Sequence, residues 1–207
     1  MLKNQINPHF LFNTLNMIAS MAQVEDAATT EQMITAMSRL FRYNLKSTDS
    51  VMPLERELKV VSDYMYLQQM RFGKRLRFTS DCPADTLDHL VPSFALQPLV
   101  ENALYHGVKN KRGKGMIRIT GRLKGGDMIF KVIDDGKGMT EEELGKLQNS
   151  LKKDKSDRKE DGFGLSNVNQ RIRHYYGEGY GISFESRENE GTTATIILEA
   201  KNNQPFV

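Results

Sequence analysis

The sequence predicts an α+β chain: a helical N-terminal region followed by an α/β sandwich, a mixed sheet covered by helices on one face. Three observations predict it. Apolar residues recur at helical spacing through the first third of the chain, up to Gly73. Beyond that point, short runs rich in β-branched and aromatic residues are separated by turn-forming pairs. Those strands are interspersed with helices, with hairpins at the centre and the end, the pattern of a sheet covered by helices.

The chain has 207 residues, room for one large domain or two modest ones. Hydrophobic residues make up 39% and charged residues 27%, which excludes disordered and collagen-like classes. Cys82 is the only cysteine, so an intrachain disulfide or a cysteine-rich zinc cage is excluded, and a reducing compartment fits. No apolar run approaches the ~18–20 residues of a membrane span, and the N-terminus MLKNQINPHF does not have the pattern of a signal peptide. A net charge of +3, dispersed along the chain, gives no footprint for nucleic acid.

Each element has its own signal. Over 5–22, Phe10, Leu11, Leu15, Ile18 and Ala22 form a helical stripe that Met17 and Met21 widen, and Pro8 within the span predicts a kink. Residues 25–28 connect to a second helix, with Thr30 as N-cap and Met33, Ile34, Met37, Leu40, Phe41 and Leu45 on its apolar positions. The polar run 46–50 ends it. Pro53 suits the first turn of a third helix, whose Leu54, Leu58, Val61, Met65 and Met70 share a face and which Gly73 ends. The domain boundary is therefore placed between 1–73 and 74–207. A strand over 75–80 and a helix over 93–106 follow. Strands over 116–123 and 128–133 are joined by Lys124-Gly125-Gly126-Asp127. Thr140 and the glutamates after it resemble a capping box. The charged stretch 152–162 is a loop, and a helix over 165–176 and strands over 181–187 and 193–200 close the chain.

Four features carry chemistry. In Asn7 to Asn13 (NPHFLFN), His9 and Asn13 lie four apart and share a helix face. Neutral imidazole has a free lone pair and is a competent nucleophile toward phosphorus, although a lone histidine among phenylalanines is more often packing. In Gln97 to Gly107 (QPLVENALYHG), Glu101, Asn102 and His106 are polar groups on an otherwise apolar helix. An amide oxygen such as that of Asn102 is a hard ligand suited to Mg²⁺; the bland alternative is an asparagine on a wet face. In Asp134 to Gly138 (DDGKG), Gly136 and Gly138 permit a tight turn and close approach of backbone to a ligand. The strand-end carboxylate can accept a hydrogen bond from an adenine amine, while a lone motif of this kind is more often an ordinary turn. Finally, Gly162, Gly164 and Leu165 open a helix, whose N–H groups and positive end suit phosphate. The preceding loop holds Lys152, Lys153, Lys155, Arg158 and Lys159, none of which stands out.

Taken in this order and spacing, the four features resemble the motifs of bacterial sensor histidine kinases of the LytS/YesM type: NPHFLFN, LQPLVENAxxHG, DxGxG and GxGL. The stretches LEREL…DYMYLQQMRFG (54–73) and SNVNQRI…YYG (166–177) extend the resemblance over nearly the whole chain. The second part is similar to the ATP-binding superfamily shared by gyrase, Hsp90, histidine kinases and MutL. The resemblance implies a helical dimerisation and histidine-phosphotransfer region over 1–73 and an ATP-binding catalytic domain over 74–207. It implies that His9 is phosphorylated from ATP, that Asn102 holds Mg²⁺ and that Asp134 binds the adenine amine. It places Gly136 and Gly138 in the adenine pocket, Gly162 and Gly164, with Leu165, at the hinge of an ATP lid, and Thr192 in support of Asp134. His106 falls near the phosphates, and Asn13 matches a position that orients water for dephosphorylation. The implied partners are the aspartate of a response regulator and, in the full-length protein, a second copy. The implied setting is the cytoplasmic part of a membrane sensor, because His9 lies so close to Met1 that input and membrane regions are expected upstream.

Two departures qualify the resemblance. The commonest histidine kinases follow the phosphohistidine with an acid acting as base, and Phe10 stands there instead. Superfamily ATPases carry a water-activating glutamate four residues before the asparagine, where this chain has Pro98. Pro98 and the NPHFLFN helix argue against a simple ATPase or a serine kinase. The base for His9 is left open, with Glu101 a candidate by residue type, and a nucleotide-responsive dimerisation scaffold stays as the non-enzymatic alternative. His89, His174 and Cys82 fall outside every motif and are expected to be structural, with Arg171 and Arg173 paired to carboxylates.

Overall fold

A computed structural model of the chain describes residues 7–46, 51–109, 111, 113–152 and 163–201. Asn7 is extended, and its side-chain oxygen accepts the N–H groups of His9 at 3.0 Å and Phe10 at 3.5 Å, so α1 (Pro8–Val24) begins at the proline. The kink expected at Pro8 therefore does not form. At the first helical position the missing N–H is not needed and the fixed φ is already helical. Helix α1 buries Phe12, Leu15 and Ala22, whereas Phe10 and Ile18, expected in the buried stripe, are 70% and 43% exposed. A turn with Asp26 at φ 55° leads into α2 (Ala28–Lys46), which packs on α1. It starts two residues before the N-cap expected at Thr30.

Helix α3 (Leu54–Phe72) follows a three-residue strand, β1 (Val51–Pro53). Pro53 sits at its N-cap position and not within its first turn. Between α2 and α3 the contacts include polar ones: Arg39 Nε and Nη2 each reach the Asp63 carboxylate at 2.6 Å, and the Tyr66 hydroxyl donates to Gln32 Oε1 at 3.1 Å. Gly73 ends α3 at φ 61°. The buried side of α3 faces elsewhere: Leu54, Val61 and Met65 are fully buried in the same core cluster as the sheet. At ~1.5–3 kcal/mol for each such side chain, this attachment is a strong one.

The sheet contains β2 (Leu76–Asp81), β4 (Gly115–Lys124), β5 (Asp127–Asp134), β6 (Gly181–Arg187) and β7 (Gly191–Glu199), in the order β2-β4-β5-β7-β6. Only β2 and β4 run parallel, because the chain crosses between them through α4 (Ala84–Leu87), β3 (Leu90–Pro92) and α5 (Gln97–Asn102). The other three pairings are antiparallel. Strands β1 and β3 form a separate antiparallel pair that the sequence reading did not foresee, each being too short for a period-2 pattern. Alternation sets the faces of the sheet. Ile117, Ile119, Met128, Phe130, Val132, Ala194, Ile196 and Leu198 point into the core, while Arg118, Arg122 and Lys131 stay exposed on the other side. Helices α5, α6 (Glu141–Lys152) and α7 (Phe163–Tyr176) contribute Leu99, Val100, Leu151, Val168 and Ile172 to the same core. The expected capping box forms at α6: Thr140 Oγ1 accepts the Glu143 N–H at 3.2 Å, and Glu143 Oε2 accepts the Thr140 N–H at 2.9 Å. Buried Asn169 ties α7 to its neighbours by donating to the Leu151 carbonyl at 3.0 Å and accepting the Ile182 N–H at 2.8 Å.

Candidate nucleotide site

The helix expected over 93–106 is two pieces, α5 and a π-helical turn over Ala103–Val108, closed by the Lys109 N–H on the Leu104 carbonyl at 2.8 Å. Such widened turns are frequent at functional sites. Here the turn brings Gly107 against the end of β5. A Cβ built on Gly107 would lie 2.4 Å from Asp134 Oδ1, and one on Gly136 would lie 2.2 Å from the Gly107 carbonyl carbon. Two glycines in backbone contact thus form a floor beside the carboxylate that no other residue pair would allow. We expect Gly107→Ala to displace Asp134 and destabilise the fold by about 1–3 kcal/mol, read by denaturant unfolding. An unchanged midpoint would show that the floor yields.

Asp134, 5% exposed, ends β5 beside Thr192 of β7. Its Oδ1 accepts the Gly136 N–H at 2.8 Å. Burial pushes its carboxyl up to about 6, opposed by the N–H groups of Gly136 and Thr192. Ser186, outside every sequence motif, braces the same corner. It accepts the Met139 N–H at 2.9 Å, donates to the Gly191 carbonyl at 2.9 Å, and its hydroxyl lies 2.9 Å from that of Thr192. Asp135 turns away from Asp134: its Oδ1 accepts the Met116 N–H at 2.7 Å, and Lys111 Nζ lies 3.0 Å from its Oδ2.

The end of β5, the π-turn, α6 and the start of α7 enclose a cleft of about 580 Å³. It is lined by Glu101, Asn102, His106, Asp134, Gly138, Gly164, Leu165 and Thr192, all singled out from the sequence. It is also lined by Tyr105, Gly107, Lys137, Met139, Glu143, Leu147 and Ser150, which were not. Lys137 had a signal, its place within DDGKG, whereas Leu147 and Ser150 are on a helix whose packing only the fold reveals. Gly136 lies beneath the cleft. Gly162 and the loop cations from Lys153 to Lys159 lie outside the described residues. Among the described residues, the Asn102 amide has no hydrogen-bond partner, and the Glu101 carboxylate accepts from Gln97 Nε2 at 2.9 Å.

His9 and Asn13 are not in this cleft. They are exposed on α1, with Asn13 Nδ2 3.3 Å from His9 Nδ1. Of the residues expected to be structural, His89 is buried, Cys82 is a half-buried free thiol, and Arg173 pairs with Glu178 at 3.5 Å. Arg171 donates to the Phe94 carbonyl at 3.5 Å, and among the described residues it pairs with no carboxylate.

A five-stranded mixed sheet covered on one face, with a glycine-floored cleft at the end of its central strands and a helical hairpin ahead of it, defines a class of ATPase-type sandwich. The comparisons narrow that class. Residues 92–202 match the family "Histidine kinase-, DNA gyrase B-, and HSP90-like ATPase", and residues 1–76 match "Histidine kinase". The chain belongs to this family, as a histidine-kinase catalytic fragment related to the LytS/YesM-type bacterial sensor kinases. It is 35% identical over 201 residues to the sensor protein LytS of Bacillus anthracis and 32% identical over 201 residues to the sensor histidine kinase YesM of Bacillus subtilis. Both matches cover 97% of this chain and 33% of the relative, so the chain spans a third of their length. The putative uncharacterized protein YwpD of Bacillus subtilis is 34% identical over 200 residues, covering 95% of the chain and 68% of that protein. Among solved structures, the histidine kinase domain of the Erythrobacter litoralis EL346 blue-light activated histidine kinase has the same fold, with a TM-score of 0.51 at 18% identity, covering 90% of this chain and 85% of that one. The family generally binds ATP with Mg²⁺. Among the described residues, no helix is long and apolar enough to cross a membrane.

Proposed function

We propose that the chain phosphorylates His9 from ATP and relays the phosphoryl group to an aspartate of a response regulator, with 1–73 presenting the histidine and 74–207 binding the nucleotide. The single observation that carries this is the cleft, which gathers Asn102, His106, Asp134, Gly138, Gly164, Leu165 and Thr192 in one place.

The residues fit the nucleotide and its metal. The Asp134 carboxylate, held by the N–H groups of Gly136 and Thr192, lines the cleft and accepts from the adenine amine. Gly107, Gly136 and Gly138 keep side chains off the base. The Asn102 oxygen is a hard ligand for Mg²⁺, and when bound this ion neutralises charge on the transferring phosphoryl group. His106 and Lys137 add polar and cationic groups to the same wall, and Gly164 and Leu165 begin the helix at the phosphate end. Asn13 orients the His9 ring through its amide, and neutral imidazole supplies the attacking lone pair. Glu101 is the candidate base by residue type, and it lines the cleft. Pro98 leaves no water-activating carboxylate at the position other superfamily members use, which favours histidine over water as nucleophile.

The exposed apolar residues Phe10, Met17, Ile18, Met21 and Phe41 on the α1–α2 hairpin support assembly with a second copy in the longer protein. That protein is proposed to be a membrane sensor whose cytoplasmic part this chain represents; the relatives' names say sensor, and the chain spans a third of their length.

The test is incubation with γ-labelled ATP and Mg²⁺, which is expected to leave acid-labile, base-stable label on the chain. An Asn102→Ala variant is expected to lose about 100-fold or more of the labelling rate and the Mg²⁺ dependence of ATP affinity. A variant retaining both would overturn the metal role.

A further inference from the structure

Glu57 is fully buried, and no step proposed above uses it. Its Oε1 accepts the Phe94 N–H at 2.8 Å and the Tyr43 hydroxyl, and its Oε2 accepts the Leu96 N–H at 3.1 Å. The Tyr43 oxygen accepts the same Phe94 N–H at 2.8 Å, and the rings of Tyr43 and Phe94 pack with centroids 4.4 Å apart. Burial raises the Glu57 carboxyl above its ordinary range, while the Tyr43 hydroxyl and the N–H groups of Phe94, Ala95 and Leu96 favour its ionised form. A position needed only to fill space is filled more stably by an apolar side chain, so a buried carboxylate with this many donors points to a specific arrangement.

The turn it grips is itself unusual. Phe94 has φ 58°, a conformation costing a bulky residue about 1–3 kcal/mol that persists only where its surroundings impose it. Arg171 of α7 donates to its carbonyl. This one strained turn is therefore held by α2 through Tyr43, by α3 through Glu57 and by α7 through Arg171, and it runs directly into α5.

We infer that Glu57 is a positioning residue: together with Tyr43 it clamps the Phe94 turn, fixing α5 and its Asn102 relative to the hairpin that carries His9. The inference rests on the roles proposed for His9 and Asn102. The floor of the cleft is held by the end of β5, with Asp134 and Gly136, as well as by Gly107 at the far end of the π-turn, so the effect falls more on phosphoryl transfer than on nucleotide binding. In-line transfer is sensitive to placement, a displacement of about 1 Å being worth about 100-fold in rate.

Two variants of the whole chain test it. Tyr43→Phe keeps the ring and removes the hydroxyl, whereas Glu57→Gln keeps the shape and turns one acceptor into a donor facing backbone N–H groups. Each is expected to lower the rate of acid-labile labelling at saturating ATP by about tenfold or more, with the ADP dissociation constant within about threefold of wild type. An unchanged rate in folded protein, or a loss of rate matched by an equal loss of affinity, overturns the inference. Tyr43→Phe decides the matter if Glu57→Gln does not fold. Amide hydrogen exchange separates this inference from the underlying reading, because loss of protection over residues 94–102 does not require kinase activity. If the wild-type chain takes up no label, the His9 assignment fails. The clamp then stands if Tyr43→Phe loses that protection and falls if it does not.

Discussion

A His9→Gln variant is expected to bind Mg²⁺-ATP as the wild-type chain does and to take up no acid-labile phosphate. The imidazole is exposed on α1 and is not among the residues lining the cleft, so nothing in the nucleotide site is lost with it. Its side-chain hydrogen-bond contacts are with Asn13, and the cap from Asn7 uses the His9 backbone N–H, which glutamine retains. The stability change is therefore within about 0.5 kcal/mol, the ordinary range for surface substitutions. Labelling, by contrast, disappears, because glutamine has no lone pair able to form the N–P bond. Titration with a fluorescent ATP analogue and labelling of the same preparation check both halves. Acid-labile label persisting on the variant would assign the acceptor elsewhere.

An Asp134→Asn variant is expected to change stability and affinity in opposite directions. The carboxyl titrates at about 6 in the folded chain against an ordinary 3.8. Its folded value is raised, so its stabilising contribution is present below about pH 4, fades as pH rises through 6, and is absent at pH 7. Two units correspond to roughly 3 kcal/mol of penalty carried by the ionised form at neutral pH. Asparagine removes the charge but sets its NH₂ group among backbone donors, so we expect a net gain of about 1–2 kcal/mol at pH 7 and little at pH 4. Thermal unfolding at the two pH values checks this. Adenine nucleotide affinity should fall by about 30-fold or more, because the single amide oxygen is committed to Gly136 and the adenine amine then meets a second donor. Equal destabilisation at both pH values would show that Asp134 contributes to the fold rather than being a local cost of binding.

Much of this was legible in the sequence, and the exceptions have identifiable causes. The strands from β4 to β7 alternate, so their existence and the β4–β5 and β6–β7 hairpins follow from pattern and turn chemistry, whereas the β5–β7 pairing joins segments distant in sequence. The cleft residues are legible because chemistry confines them to short motifs: Asn102, Asp134, Gly138 and Gly164 could each be named before any fold was known. The kink expected at Pro8 is absent because Asn7 caps the helix one residue earlier and leaves the proline at its first position. Phe10 and Ile18 were expected inside because hydrophobic spacing does not distinguish a face turned to the chain's own core from one turned outward. Ser186 reaches the corner beside Asp134 through the β6–β7 pairing, and Leu147 reaches the cleft through the packing of α6. Glu57 lies in LEREL, part of the resemblance, but nothing marks it as buried, since a glutamate there looks like one on a solvated helix face.

The way α3 is seated determines where the molecule can articulate. Gly73 marks a change from helix to strand, but a helix with Leu54, Val61 and Met65 locked among the side chains of the sandwich is not free to swing about it. Relative movement of the α1–α2 hairpin falls instead on the joint between α2 and α3. There Arg39–Asp63, Tyr66–Gln32 and Tyr43–Glu57 form a polar bearing. Tyr66–Gln32, on the exposed side, can exchange its partner for water at little net cost, whereas Arg39–Asp63 cannot, because the Asp63 carboxylate is buried. The buried Tyr43–Glu57 contact acts as the detent that gives such a joint a preferred stop.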